Sequence, residues 1–247
     1  MLRHDGRRAD ELRAVRVQPN FTRMTAGCHL FSAGDTCVLC TASIEPRVPP
    51  WLEGAGKGWI TAEYNMLPSS TQPRKSRERS GKIDGRTTEI QRLIGRSLRA
   101  VVDLGLLGEQ MITIDCDVLQ ADGGTRTASI NGAFLALVDA IVHLQQNDAL
   151  PDPSQTPLRD SVAAISVGLV DAQPLLDLNY QEDMAASVDM NVVMTGRGRY
   201  VEIQGTGEEA TFSESDLATL LALARQGIRQ VTELQRQILG ARWPWND

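Results

Sequence analysis

The sequence predicts an α+β protein made of two parts, each a run of strands followed by a helix. Three observations carry this. Alternating apolar and polar residues dominate 11–43 and recur through 162–204. Apolar stripes of helical period follow each strand-rich stretch. A break holding Pro151, Pro153 and Pro157 separates the halves and places the boundary near residue 150, giving parts 1–150 and 151–247. Strands grouped apart from helices favour α+β layers, with mixed sheets packed against helices, over a doubly wound parallel sheet.

In the first part, 11–43 reads as strands turning at Gly27 and at Ala33-Gly34-Asp35. Residues 46–58 form a Pro/Gly-rich excursion. Within it, Gly54-Ala-Gly-Lys-Gly58 imitates a phosphate loop, but it follows Pro49-Pro50 and lacks the Ser or Thr that should come after Lys57. It reads as a surface loop. Thr88-x-x-Gln91 has the capping-box pattern of a helix start. Ile90, Leu93, Ile94, Leu98, Val101 and Val102 then form one stripe, with Arg92, Arg96 and Arg99 largely off it. Residues 111–119 alternate as a strand with Asp115 and Asp117 on one face. Asp122-Gly-Gly-Thr-Arg-Thr127 is a turn opening a second helix over 128–145.

The second part shows four strand-like segments, 162–170, 174–178, 187–195 and 200–204. A last helix starts at the cap Ser213-x-x-Asp216 and carries Leu217, Leu220, Leu221, Ala224, Ile228, Val231 and Leu234. The tail 241–247, with Trp243 and Trp245, has no period, and no tandem repeat is present.

Composition removes several chemistries. Four cysteines without a secretory-type opening argue against a disulfide framework. Cys37-x-x-Cys40 is half a zinc site, yet it lies in a strand with no second pair or nearby His, so both read as strand cysteines. The only histidines are His4, His29 and His143, none in a loop motif, which weighs against Ser-His-Asp or Cys-His catalysis. The longest apolar-like run, 162–170, is half the length of a membrane span. A soluble, cytoplasmic protein with no membrane partner is expected.

Net charge is −6, which alone would disfavour nucleic acid. The charge is uneven, however. Residues 74–99 hold nine basic side chains against three acidic ones, and the whole chain has only three lysines among its 25 basic residues. Arginine presents a planar fork of donors that matches phosphate oxygens. A cluster of them beside Gly-rich turns points to a polyanionic ligand.

Two constellations could do chemistry. Gly123-Gly-Thr-Arg-Thr127 enters a helix, so its N–H groups and the positive end of the helix dipole face an incoming anion; Gly85-Arg86-Thr87 repeats the arrangement at the preceding helix. Each alone is also an ordinary turn. The second is Leu176-Asp-Leu-Asn-Tyr-Gln-Glu-Asp183, read as a hairpin bringing Asp177 and Asp183 together, either as hard oxygen ligands for Mg²⁺ or Mn²⁺ or as turn caps. Glu182 and Asp189 are possible supporting groups.

These residues carry a resemblance. Arg3-His-Asp-Gly-Arg-Arg-Ala-Asp-Glu-Leu-Arg13, Glu63-Tyr-Asn-Met-Leu-Pro68, the stretch from Gly85 to Arg99, Gly123-Gly-Thr-Arg-Thr-Ala-Ser129, Leu176 to Asp183, Val188-Asp-Met-Asn-Val-Val-Met-Thr195 and Val201-Glu-Ile-Gln-Gly-Thr206 together resemble the bacterial ribonuclease PH family. The similarity runs in order from about residue 3 to 239. It implies the two-part ribonuclease PH-type fold and a phosphorolytic 3′→5′ exoribonuclease that trims the 3′ ends of precursor tRNA, with inorganic phosphate as co-substrate and Mg²⁺ or Mn²⁺ as cofactor. It implies a homohexamer arranged as a trimer of dimers, acting on RNA and not DNA. Phosphate binding is carried onto Arg86, Gly124, Thr125 and Arg126, and catalytic and metal-linked roles onto Asp177 and Asp183. An RNA grip is carried onto Arg74, Arg77 and Arg79, with Arg92 beside them. One departure stands out: the family usually has Arg after Met66-Leu67-Pro68, where this chain has Ser69. The competing expectation is a non-catalytic RNA-binding ring subunit of the exosome kind, which shares the fold.

Overall fold

The alternation in the first part builds one mixed sheet from β1 (Val15–Pro19), β2 (Gly27–Ala33), β3 (Thr36–Glu45), β4 (Trp59–Met66) and β5 (Met111–Gln120). The computed structural model describes residues 3–77 and 84–245. Strand order is β1-β2-β3-β5-β4, with every neighbouring pair antiparallel except β4 and β5. That parallel pair is joined through α1 (Gly85–Arg99) and a single turn, α2 (Leu104–Leu107). β4 is a strand that the sequence pattern does not announce. It follows the Pro/Gly-rich excursion, yet Ile60, Ala62 and Tyr64 point into the core while Glu63 and Asn65 face out.

One face of this sheet is apolar and dry, with Val38, Cys40, Ala42, Ile60, Ile112, Ile114 and Val118 all buried. Cys40 stands opposite Cys116 in the β3–β5 register, and all four cysteines are free thiols, in keeping with their strand setting. The helix that covers this face, α3 (Thr125–Gln146), begins three residues earlier than its periodicity suggests. Nearly every residue from Thr125 to Ile141 is buried, because small side chains such as Ala128, Ala133, Ala136 and Ala140 let both neighbouring layers approach. A helix apolar all round belongs in an interior. Among the described residues α3 alone is long and apolar enough to cross a membrane, and its most apolar window is 89% buried inside the protein.

The second sheet, all antiparallel, is ordered β7-β6-β8-β9, from β6 (Val162–Val170), β7 (Gln173–Leu176), β8 (Val188–Thr195) and β9 (Tyr200–Gly207). Ala164 and Val193 join the α3 core, while Met190, Val192 and Met194 meet Leu220, Ala224, Ile228 and Val231 of α5 (Glu214–Leu239). The layers are therefore sheet, α3, sheet, α5, with α1 beside α3. Ser213 and Asp216 form the reciprocal cap that starts α5. The unpatterned tail is also placed: Trp243 and Trp245 lie against Phe134 of α3, with ring centroids 6.5 Å away in both cases, and Arg242 pairs with Asp139.

Two local expectations are corrected. α1 starts at Gly85 rather than Thr88, because Asp84 caps it by accepting from the Arg86 N–H at 3.4 Å. The expected hairpin between Asp177 and Asp183 is absent. Asp177 takes a left-handed turn (φ 55°), and the chain then winds one short helix, α4 (Tyr180–Ala185), before β8.

Candidate active site

A pocket of about 960 Å³ opens where the C-terminal end of β5, the N-termini of α3 and α1, α4 and the start of β8 converge. Residues distant in sequence line it together: Arg86, Gly124, Thr125 and Arg126 on one side, Asp183 and Asp189 on the other.

The cationic side follows from the Gly123-Gly124 turn. Both glycines have positive φ, 74° and 64°. A side chain on Gly123 would put its Cβ 2.6 Å from the backbone carbon of Asn179, so only glycine lets the loop touch the approach to α4. Gly124 caps α3 without any side-chain hydrogen bond, leaving the first helical N–H groups facing the pocket mouth with the dipole's positive end. Arg126 Nη2 donates to Glu89 Oε2 at 2.8 Å, and its buried Nε has no partner. A buried guanidinium N–H left unpaired beside a cavity is suited to an anion. Glu89 also accepts from Gln204 Nε2 at 2.9 Å. Partial burial acts to raise its pKa, but the Arg126 and Gln204 hydrogen bonds hold the carboxyl below its ordinary value. Tyr64, buried on β4, donates to Thr125 Oγ1 at 3.0 Å and orients that hydroxyl.

The acidic side is built by α4 and β8. Asn179 and Glu182 cap α4 reciprocally, and Glu182 is gripped by Arg3 and Arg7 from the N-terminal segment. This anchors the helix that carries Asp183. Burial, first, and then the Asp189 charge push the Asp183 carboxyl above its ordinary value, while Arg86 and Arg126 pull it down. Asp189 is raised in the same way, by burial and then by Glu208. Two carboxyls that both resist ionisation are short of positive charge. Among the described residues no group of three or more His, Cys, Asp or Glu could hold an ion, so a cation here would take one or two carboxylates and complete its shell with water or substrate oxygens.

Asp177 is not part of this pair. It is 3% exposed, and both carboxylate oxygens are committed to Arg13: Oδ2 accepts from the Arg13 N–H at 2.8 Å and from Nε at 3.0 Å, and Oδ1 from Nη2 at 2.7 Å. The Arg13 Nη1 donates onward to the Asp122 carbonyl at 2.6 Å. Asp177 thus ties the end of β7 to the glycine turn, with both of its oxygens already accepting from Arg13. The acidic partner of Asp183 is Asp189, which the sequence pattern marks only as a supporting group.

Arg74 and Arg77 are exposed on the segment following a 3-10 turn, Pro68–Ser70, whose Ser69 and Ser70 line the pocket rim. Arg79 lies outside the described residues. Arg92 is exposed on α1 and does not line the pocket, and no histidine does. Sequence reasoning missed Tyr64, Glu89, Ser166 and Asn191. Ser166 lines the floor and accepts from the Leu178 N–H at 3.0 Å, and Asn191 shares a face of β8 with Asp189. The period-two placement of Asp189 and Asn191 is a usable signal. Pairing between Glu89 and Arg126, which sit on different helices, is not.

The 3′ exoribonuclease family, domain 1, matches residues 11–143, and its domain 2 matches residues 160–227. A ribonuclease PH of Rhodopirellula baltica is 60% identical over 230 residues, covering 92% of this chain and 93% of its own. One from Bacillus subtilis is 59% identical over 245 residues, covering 98% and 99%. Solved structures share the fold: an Archaeoglobus fulgidus exosome with RNA bound to the active site (TM-score 0.80, 24% identity, 94% of this chain and 92% of that one) and rice Rrp46 (TM-score 0.78, 20% identity, 96% and 99%). Arginines and a carboxylate pair line one pocket on a framework that both family domains match in order, and the chain belongs to the 3′ exoribonuclease family, alongside the bacterial ribonuclease PH proteins.

Proposed function

We propose that this pocket removes nucleotides from the 3′ end of RNA by phosphorolysis, with precursor tRNA as its substrate. The chain is a phosphate-dependent 3′→5′ exoribonuclease. The observation that carries the residue assignment is the convergence of Arg86, Arg126 and the uncapped start of α3 on a pocket that also holds Asp183 and Asp189.

Orthophosphate, with a second pKa near 6, is mostly a dianion at neutral pH and needs little help from a base. The obstacle is one anion approaching another. Arg86, Arg126 and the N–H groups of Gly124 and Thr125 offset that repulsion and hold the nucleophile for in-line attack. A phosphate oxygen bonds to the terminal phosphorus, the bond to the preceding 3′ oxygen breaks, and a nucleoside diphosphate leaves. Asp183, whose carboxyl is already raised, is placed to give that departing oxygen its proton. Asp189, with water and substrate oxygens, would hold Mg²⁺ or Mn²⁺ and leave Asp183 its proton, and such an ion would supply charge neutralisation at the reacting phosphoryl group. Asp177 acts as a positioning residue through Arg13.

Arg74 and Arg77 serve as the RNA grip ahead of the pocket, Arg79 sharing that role from sequence alone, with Ser69 in place of a further arginine. Residues 1–150 supply the phosphate and RNA contacts, and 151–247 supply the acidic pair. The working form is a homohexamer in the cytoplasm. A non-catalytic ring subunit would not need both charge sets, and both are present.

The test is incubation of a 3′-extended tRNA with and without inorganic phosphate, with products separated by chromatography. Nucleoside diphosphates are expected only with phosphate, and tail addition when diphosphates are supplied instead. Nucleoside monophosphates released in phosphate-free buffer would contradict the reading.

A further inference from the structure

A second cationic cavity, of about 390 Å³, lies between the β8–β9 turn and α5. Four arginines line it, Arg197 from the turn and Arg225, Arg229 and Arg236 from the helix, against one acid, Glu233. The helical three recur at spacings of four and seven, which puts them on one face of α5. In a chain of net charge −6, this local excess is not a sample of the average surface. Arg225 Nη2 donates to the Tyr200 hydroxyl at 2.9 Å, and Arg236 stands 3.8 Å from Glu233.

A solvated charge stripe would need nothing more. Thr195 and Thr232 also line this cavity, and their hydroxyls, shielded behind its wall, have no hydrogen-bond partner. Four arginines gathered on one concavity against a single acid call for a ligand rich in acceptors, and phosphate oxygens are such a ligand. From Arg225 to Arg236 the helix advances roughly 16 Å. A single nucleotide cannot touch both ends of that line, whereas a run of backbone phosphates can.

We propose that this groove is a second RNA-backbone site, taking phosphates of the RNA body behind the 3′ end that enters the active pocket. The proposal rests on the exoribonuclease reading. β8 connects the two places: Asp189 lies near its start in the active pocket and Thr195 ends it at the groove, about 20 Å further along. A tetranucleotide held by its 3′ end spans about 14 Å when stacked and does not reach the groove. A stem-loop with a single-stranded 3′ tail does.

The test compares wild type with the double variant Arg225→Ala/Arg229→Ala and with Arg229→Glu, all on exposed helix positions. Binding of the stem-loop RNA is measured across a salt series. Phosphorolysis of the tetranucleotide, ADP binding by equilibrium dialysis, and sedimentation are measured in parallel. The expected result is about tenfold weaker stem-loop binding, with a log–log salt slope shallower by about 0.9 for each phosphate no longer neutralised. Tetranucleotide turnover should be unchanged. Identical stem-loop affinity and slope would overturn the proposal. So would loss of one ADP site per chain, which would make the groove a free-nucleotide site, or a changed assembly with both RNAs affected, which would make it a protein contact. If wild type fails to phosphorolyse the tetranucleotide at all, the exoribonuclease reading fails instead.

Discussion

Arg126 shows how one side chain serves two ends of a reaction centre. Its Nη2 is fixed by Glu89, and its buried Nε remains free for a ligand. Arg126→Ala is expected to cost about 2–4 kcal/mol of transition-state stabilisation, by analogy with deleted oxyanion donors. The measurement is kcat/KM as a function of phosphate concentration. Unchanged values at limiting and saturating phosphate would remove Arg126 from the site. The aspartates separate by a paired experiment. Asp177→Asn leaves the buried Arg13 guanidinium without its counter-charge, expected to cost about 3–5 kcal/mol and to lower Tm by on the order of 10 °C. Asp183→Asn should abolish turnover while Tm holds or rises. The sign follows from proton linkage: a carboxyl raised in the folded state binds more protons there than in the unfolded chain. Wild-type stability therefore falls as pH rises from the ordinary aspartate value through the raised one, and Asp183→Asn escapes that loss. A thermal melt series across that range reads the difference. A Tm fall in Asp183→Asn matching that of Asp177→Asn would mean both residues are structural.

Elements decide what those side chains can reach. α4 is only six residues long, yet it sets the direction of Asp183, and the Gly123 turn packs directly on its start. Gly123→Ala must fit a methyl 2.6 Å from the Asn179 backbone at a φ of 74°. The expected cost is about 1–3 kcal/mol of stability, together with a fall in kcat, because α4 and the phosphate loop are pushed apart. Denaturant unfolding and steady-state kinetics on the same preparation check this, and normal kcat in a stable variant would refute the coupling. Legibility differs by element. β5, β6, β8 and α5 are plain because period and burial agree along them. β4 is hidden behind the glycine-rich excursion, although its own alternation is regular. The start of α1 is misleading because a serviceable capping pattern at Thr88 outweighs Asp84 four residues earlier.

Across the whole molecule, α3 belongs to the first part by sequence and forms the floor of the second sheet in space, so the two halves share a core. The tail extends the same principle. Trp243 and Trp245 flank Phe134 in mutual edge contact at 4.8 Å, and Arg242 closes on Asp139, itself bonded to the buried His29 at 2.8 Å. Ending the chain after Gly240 is expected to cost about 3 kcal/mol, from reduced aromatic burial and an exposed patch on α3. Phosphorolysis at low temperature should survive, since the tail does not line the active pocket. A truncated protein with wild-type Tm would show that the tail packs without stabilising.

The α+β layout, the family and the arginines and glycines that line one side of the pocket are all legible in the amino-acid sequence. Helix-entry glycines, flanking arginines and strand periodicity are local, and local order is written along the chain. Which carboxylates meet is settled only by the three-dimensional packing. Asp177 and Asp189 lie equally far from Asp183 in sequence, six residues on either side. A left-handed turn and one short helix direct Asp177 into an arginine clamp and leave Asp189 facing the pocket, because burying the Arg13 charge required a partner with both oxygens to give.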